Sequence, residues 1–374
     1  MLDQILDPYG FPFWILIFSI IIAIFGLVLR PFLTHVKFAY PNALFEAIGN
    51  PFTEEKDLTR VIDNKDLSGF KESINSLKDY NIDGENVHEI QKSLDVHFIQ
   101  TITMMRKHSP KEMSDFYDVY LEKLDVRLVK KMIKNKLEGK PLEEIKIDEV
   151  NTPVVQYLLE KFKDAERKDI PEILKNYGLE EEITEIISQE NVDFLTIDSG
   201  IDKHIISKFR KVTVPYKCEE AKQKFINRMI DILNVKNVLR AKQLGYDNES
   251  CKKLFLGEGQ EIASWKFKEI TEVDQVSQVI SGIEGTSYYG VLKDAIEEYN
   301  KEGSVQVLEK VLDGLFLKLM RDLSLQHFVS IGPTIRFFIS KEFEIQNLKI
   351  IAKGIGENLS SDIIKKFVVV EARS

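Results

Sequence analysis

The chain has 374 residues, enough for two or three domains, and its 44% apolar and 30% charged residues are typical of a globular protein. Its net charge of -9 excludes the global basic field that draws a protein to nucleic acid. The 2 cysteines form no CxxC and the 6 histidines form no HxxxH or HExxH, so neither a disulfide framework nor a metal site is expected.

The first predicted element is a membrane-spanning helix over residues 11–29. This stretch carries no charge, and at 1.5 Å per residue it spans roughly 28 Å, close to a bilayer core. A secretory signal peptide fits poorly, because Asp3 and Asp7 precede the stretch and no small-residue cleavage site follows before Arg30. Among the residues assigned to the span are Phe11, Trp14, Ile20, Phe25 and Leu29.

The charges beside this span predict its orientation. Arg30 and Lys37 follow the span, whereas no basic residue precedes it. By the positive-inside rule the N-terminus lies outside the cell and residues 30–374 lie in the cytoplasm. We therefore expect a single-pass protein of the cell membrane, anchored by residues 1–37.

Two short motifs each occur three times in the rest of the chain. The first contains Asp95, Asp202 and Asp313, which are 107 and 111 residues apart (202−95 and 313−202). The second begins at Leu124, Leu233 and Phe343, and it follows the start of the first motif by 30, 32 and 31 residues. Two motifs that keep both their period and their mutual offset indicate a duplicated unit.

Within each unit the apolar residues recur at helical spacing, and alternating strand patterns are nearly absent. Gly245 and Gly354 occupy positions where a helix needs a left-handed C-terminal residue. The sequence predicts an all-α protein with three similar helical domains behind the membrane helix, at residues 38–150, 151–262 and 263–374. Thr152-Pro153 and residues 271–274 are the plausible joints.

The repeated motifs resemble those of one family. The run 233–242, which closes on Gly245, resembles the C subunit of A/V-type ATP synthases, the equivalent of the d subunit of eukaryotic vacuolar ATPases. The run 342–354 and the elements around Asp95 and Asp313 are similar to it as well, so the resemblance covers roughly residues 38–370. The opening run 38–43 also matches the family. One departure is that Leu44-Phe45-Glu46 follows this run where the family usually has arginine, and Pro41 is expected to interrupt the helix start.

The resemblance implies a pseudo-threefold funnel of helical domains. Such a protein is a non-catalytic rotor part of the central stalk, without cofactors, and it links the membrane proteolipid ring to the central shaft. It transmits torque during ion-driven ATP synthesis or ATP-driven ion pumping. We expect the ring, the shaft subunits and the membrane as partners, but no nucleic acid. From the span and its orientation we further predict that the membrane helix lies in the ring lumen.

The three repeated aspartates have two interpretations. They could face the shaft around the pseudo-threefold axis, or each could pair with a basic residue of the next helix in its own unit. The natural pairs are Asp202 with Arg240 and Asp95 with Lys131, whereas the third unit has Ile350 at that position. We favour pairing within each unit.

Asparagines recur on the second motif, as Asn234, Asn237 and Asn347. Because asparagine is a mediocre residue within a helix, we expect hydrogen bonds to a neighbouring helix in preference to contacts with a partner. The glycine pairs Gly257-x-Gly259 and Gly354-x-Gly356 lack the strand and helix of a nucleotide fingerprint. A membrane-anchored helical adaptor or scaffold is the alternative function, and an enzyme is the third, without a recognisable catalytic constellation.

Overall fold

The computed structural model describes residues 10–140, 153–189 and 193–372, without the side chains at positions 28, 31 and 182. In these ranges it contains eighteen α-helices and no β-strand, so the all-α prediction is confirmed there. The first nine helices are α1 Phe11–Ile48, α2 Glu55–Ile62, α3 Leu67–Asn75, α4 Val87–His108, α5 Ser114–Leu137, α6 Pro153–Lys163, α7 Ile170–Tyr177, α8 Glu181–Ile187 and α9 Phe194–Lys211. The other nine are α10 Glu219–Gln243, α11 Asn248–Lys252, α12 Ser264–Thr271, α13 Val276–Gly282, α14 Tyr289–Asp294, α15 Ile296–Glu302, α16 Gln306–Gln326, α17 Gly332–Gly356 and α18 Ser361–Phe367.

The N-terminal helix α1 begins at Phe11, where the apolar stretch begins, and continues for 38 residues. It is long and apolar enough to cross a membrane. The expectation that Pro41 interrupts a helix was wrong, because α1 passes through this position and ends only at Ile48. Proline removes one backbone donor from the helix, but Phe38 and Phe45, two turns apart, are fully buried on either side of it and hold α1 against the body.

Six long helices form the frame of the body. They come in three pairs, α4 with α5, α9 with α10 and α16 with α17, which we call the long-helix pairs of units 1, 2 and 3. The first motif of each unit lies on the first helix of its pair and the second motif lies on the second helix. Each pair is packed together, and α5 also contacts α9, α10 contacts α16 and α17 contacts α4. The six helices therefore close into a ring.

The division at residues 38–150, 151–262 and 263–374 and the funnel shape remain predictions. The joint at Thr152 and the boundary at 150 lie outside the described residues. The boundary at 37 falls inside α1, which is continuous there.

The two glycines expected to end helices behave differently. Gly245, the second residue after the end of α10, has a φ of +76°, as predicted for a left-handed C-terminal residue. For Gly354 the prediction was wrong: it lies inside α17, and Asn358 has the positive φ of 57° instead. Gly354 serves close packing, because a Cβ there would lie 2.6 Å from Cγ1 of Ile364 on α18.

Candidate functional site

A cavity of about 270 Å³ lies between the long helices of the three units. Lys123, Ile232 and Glu342 all line it, and these residues occupy equivalent positions, each directly before the second motif. The cavity therefore lies on the approximate axis of the repeat, and we call it the axial cavity. Its polar lining consists of Lys123, Asp202, Lys236, Asp313, Glu342 and Gln346, set among aliphatic and aromatic side chains.

An aromatic cluster closes one end of the axial cavity. Phe116 of unit 1 and Phe225 of unit 2 occupy equivalent positions near the starts of α5 and α10, and Phe338 comes from α17 of unit 3. Their ring centroids are 6.2 Å apart for Phe116 and Phe225, 5.5 Å for Phe116 and Phe338, and 6.0 Å for Phe225 and Phe338. All three side chains are fully buried. One aromatic ring from each unit thus meets the others near the axis, and we call this group the axial plug.

The plug marks the direction in which the cavity runs. The cavity-lining residues of α5, α10 and α17 follow the plug residues along each helix, so the cavity extends away from the helix starts. Asp202 and Asp313 keep 17% and 23% of their side-chain surface accessible in the cavity region, in contrast to the plug. Solvent therefore reaches the region of the axial cavity but not the plug.

Three ion pairs connect the units in a cycle. In each pair a lysine of the second long helix of one unit binds the repeated aspartate of the next unit. The nitrogen–oxygen distances are 2.7 Å for Lys130–Asp202, 2.6 Å for Lys236–Asp313 and 2.5 Å for Lys349–Asp95. The third pair returns from unit 3 to unit 1, so the ion pairs follow the same closed ring as the helices.

This arrangement differs from the expected pairing within each unit. Asp202 binds Lys130 of the preceding unit, and the guanidinium of Arg240 instead binds Glu309 of unit 3, with Nη2 2.8 Å from Oε2. The reason is the ring packing, because the first long helix of each unit packs against the second long helix of the unit before it. The sequence analysis missed these lysines as partners of the aspartates, although two of them recur in the repeat. Lys130 and Lys349 each lie six residues after the start of the second motif (130−124 and 349−343).

The charges of the axial cavity are held in fixed hydrogen bonds. Burial raises the pKa of Asp313, and the neighbouring ammonium of Lys236 opposes this rise. The carboxylate of Glu342 accepts hydrogen bonds from Lys123 Nζ and from Tyr120 Oη, both at 2.6 Å. Among the described residues no three His, Cys, Asp or Glu side chains are grouped as metal ligands. The cavity thus combines paired charges with apolar walls.

The three asparagines hold segments of their own chain. Asn234 exchanges hydrogen bonds of 3.0 Å with the backbone of residues 256 and 257, and Asn237 donates to Ser199 Oγ at 3.1 Å. Asn347 donates to the carbonyl oxygens of Phe52 and Val369 and accepts from the Val369 backbone N–H. All three are at most 3% exposed. They bind loop backbone and one hydroxyl on α9, and their burial leaves no surface for a partner.

The glycine pair 257–259 belongs to one of these held segments. The carboxylate of Asp231 accepts the backbone N–H groups of residues 260, 261 and 262 at 2.8–2.9 Å. A Cβ on Gly259 would lie 1.8 Å from Oδ1 of Asp231. The glycine thus allows the loop to approach a buried carboxylate of its own chain, which explains its presence without a nucleotide.

The turns that join the two long helices of each unit all lie at one end of the ring, beyond the axial plug. They comprise residues 109–113, 212–218 and 327–331. We call this end of the ring the turn end. Apolar side chains are exposed there on the turns, on the end of α16 and on α1, namely Tyr216, Leu325, Phe328, Val329, Phe32, Leu33, Val36 and Tyr40. Beyond them the span residues Phe11, Trp14, Ile20 and Phe25 are 46–79% exposed, and Leu29 is partly buried. Exposed apolar side chains thus occur both at the turn end and along α1.

The sequence is similar to a known group of proteins. A family model described as ATP synthase (C/AC39) subunit matches residues 41–367. The C subunit of the A-type ATP synthase from Methanothermobacter thermautotrophicus is 30% identical over 335 residues, covering 87% of this chain and 86% of that protein. Proteins of the same name from Methanocaldococcus jannaschii and Pyrococcus horikoshii are 29% and 26% identical, each over 89% of this chain and over 86% and 90% of their own lengths.

Proposed function

The chain belongs to the ATP synthase (C/AC39) subunit family, and we propose that it is the rotor subunit that links the membrane proteolipid ring to the central shaft of an A-type ATP synthase. In this role it is non-catalytic, and it transmits torque during ion-driven ATP synthesis or ATP-driven ion pumping. The observation that carries the proposal is the position of two features at opposite ends of one helical ring. The apolar turn end with α1 lies at one end, and the axial cavity extends towards the other.

The turn end suits a membrane-embedded partner. Its exposed Leu325 and Phe328 are 67% and 63% accessible, and they lie beside the helix that is apolar enough to cross the bilayer. An apolar surface of this kind is costly in water and is typical of a docking site. We assign this end to the proteolipid ring, with α1 crossing the membrane, its N-terminus outside and the body in the cytoplasm.

The axial cavity suits the foot of the shaft. Three units surround it, so a shaft seated there contacts all of them and torque is shared among three interfaces. The cycle of ion pairs and the axial plug connect the units around the same axis. A torque-transmitting part has to resist relative rotation of its units, and both features oppose such rotation.

Cross-linking in the intact complex tests this assignment. Gln346 is exposed and lines the axial cavity, whereas the natural Cys218 and Cys251 are buried. A Gln346→Cys variant labelled with benzophenone maleimide should become joined to the shaft on irradiation, because the photoreactive arm needs no thiol on the partner. ATP hydrolysis by the cross-linked complex should continue, because the two joined parts turn together.

The matched control places the cysteine on the outer surface. Glu249→Cys, where the side chain is 81% exposed, should give no product with the shaft. If the product from Gln346→Cys stopped hydrolysis while the complex remained intact, this chain and the shaft would move relative to each other and the rotor assignment would be wrong. If the intact ATPase were purified without this chain, the adaptor alternative would replace it.

A further inference from the structure

The C-terminal half of α1 contacts the turns of units 1 and 3. Lys37 forms an ion pair with Glu112, which lies in the turn of unit 1. Asn42, only 8% exposed, donates a hydrogen bond of 2.8 Å to the carbonyl oxygen of Ser330 in the turn of unit 3. These contacts hold α1 at the interface where the ring of helices closes.

The same helix also reaches unit 2. The guanidinium of Arg30 lies over the ring of Tyr216, 4.2 Å from its centroid, and Tyr216 belongs to the turn of unit 2. Arg30 and Asn42 are 12 residues apart, roughly 18 Å along a helix. Helix α1 thus crosses the turn end of the ring, from the interface between units 3 and 1 to the turn of unit 2.

Contact with all three turns restricts where α1 can lie. The turns belong to three units that surround one approximate axis, so a helix at the outer edge of the body would reach two of them at most. A helix that touches all three passes close to the axis, on the far side of the axial plug from the cavity. The apolar half of α1 leaves the body where Arg30 contacts Tyr216, on the turn end.

The apolar half continues this path without a break. Helix α1 is continuous from Phe11 to Ile48, and the contact of Arg30 with Tyr216 comes directly after the predicted span at 11–29. Prolines are the usual sites of helix kinks, and Pro31 lies in α1 just after the span, but the helix continues through this position as one element. The position of the body contacts therefore determines where the span enters a membrane that faces the turn end.

We propose that the apolar half of α1 passes through the lumen of the proteolipid ring, where it contacts the inward-facing wall of the ring. This inference rests on the proposed function, which places the turn end on that ring. A helix on the axis rotates in place with the rotor, whereas a helix outside the ring would have to be carried around through lipid and past the stator. The side chains of the span, such as the 63% exposed Phe25 and the 70% exposed Ile22, supply the apolar surface for this contact.

A density map of the complete ATP synthase with the full chain tests the proposal. One helical density should lie inside the ring, continuous with the helix that crosses the turn end. An empty lumen in a complex that contains this chain would overturn the lumen path and leave the proposed function standing. A map in which the chain does not contact the ring at all would overturn both.

Photo-cross-linking gives a second, independent measurement on the same complex. Benzoylphenylalanine in place of Phe25 should form a product with the inner helix of the proteolipid, identified by mass spectrometry of the joined peptides. Products with the outer proteolipid helix or with the stator would contradict the proposal. If no product forms, the density map of the complete complex decides whether the helix lies in the lumen. Benzoylphenylalanine in place of Phe328, equally exposed at 63%, is the control, because it should join the cytoplasmic face of the ring whichever path α1 takes.

Discussion

Lys349 Nζ lies 2.5 Å from Asp95 Oδ2, although 254 residues separate the two in the chain. This ion pair joins the last unit to the first and completes the cycle formed with Lys130–Asp202 and Lys236–Asp313. Each lysine comes from the second long helix of its unit. The duplicated sequence thus produces a closed structure, because every aspartate finds its cation on the unit before it.

The least accessible of these three pairs should contribute most to stability. The side chains of Lys236 and Asp313 are 11% and 23% exposed, so Lys236→Met leaves a poorly solvated carboxylate without its cation. We expect the free energy of unfolding to fall by about 1–3 kcal/mol, measured by urea unfolding of the purified chain in detergent.

Two further variants test the origin of this loss. Adding Asp313→Leu to Lys236→Met should recover part of it, because the unpaired charge is removed as well. Lys175→Met is the control, since the pair Lys175–Glu181 is exposed and its loss should leave stability unchanged. If the double variant were no more stable than Lys236→Met alone, the unpaired carboxylate of Asp313 would not be the origin of the loss.

The axial plug should be sensitive to truncation. Phe225 is fully buried and contacts aromatic rings of units 1 and 3, so Phe225→Ala opens a cavity at the axis. We expect a loss of about 3–5 kcal/mol in the free energy of unfolding. Phe328→Ala, at the exposed turn end, should leave unfolding unchanged and reduce retention of the chain on the proteolipid ring in a detergent wash. The reverse assignment of the two effects would contradict a structural role for the plug and a docking role for the turn end.

Acid should destabilise the chain through His97. Its ring stacks on Tyr80 with centroids 4.4 Å apart, and burial together with the charge of Lys341 lowers the pKa of His97 from 6.5 to about 4. As the pH falls, the unfolded chain therefore binds the proton first. The stability that depends on neutral His97 is complete above pH 6.5 and is lost as the pH falls towards 4.

Between pH 7 and pH 5 this loss amounts to about 1–2 kcal/mol. The variant His97→Gln cannot take up this proton, so its free energy of unfolding should vary less over the same interval. The measurement is urea unfolding of both proteins at pH 7, 6 and 5. Parallel pH dependence in the two proteins would show that His97 is not the group responsible.

Asn347 should hold the C-terminal segment in place. The variant Asn347→Leu removes the hydrogen bonds to the backbone of Phe52 and Val369 and leaves buried peptide groups unpaired. We expect a loss of about 2–4 kcal/mol in stability, with faster amide hydrogen exchange at residues 368–372. Gln346→Leu, at the neighbouring exposed position, should change neither quantity. Unchanged exchange in Asn347→Leu would mean that the segment is held by its apolar contacts alone.

The sequence predicted the helical content well, because it depends on local patterns. Apolar spacing indicated the long helices, and the charge-free stretch indicated where α1 begins. The left-handed conformation of Gly245 could be predicted because this glycine follows the end of a helix. The predictions for Gly354 and Pro41 were wrong for the same reason, because tertiary packing outweighed the local preference of each residue. Gly354 packs closely against Ile364, and the buried Phe38 and Phe45 hold the helix around Pro41.

The partners of the repeated aspartates could not be derived in the same way. A spacing of about 30 residues between motifs predicts that two helices of one unit are neighbours, so Arg240 was a reasonable partner for Asp202. Ring closure adds a second neighbour to every helix, and that neighbour supplied Lys130. Which of two adjacent helices a carboxylate faces depends on the angle at which the units pack.

By itself, the sequence predicted one helical unit repeated behind an apolar helix, and its motifs indicated the family. These properties follow from periodicity and duplication, which can be recognised from the order of residues along the chain. Only the tertiary structure decided that the six long helices close into a ring, that the aspartates pair across units and that α1 contacts the turns of all three units. Those properties arise from contacts between residues as distant as Asp95 and Lys349, whose meeting depends on the packing of all six long helices together.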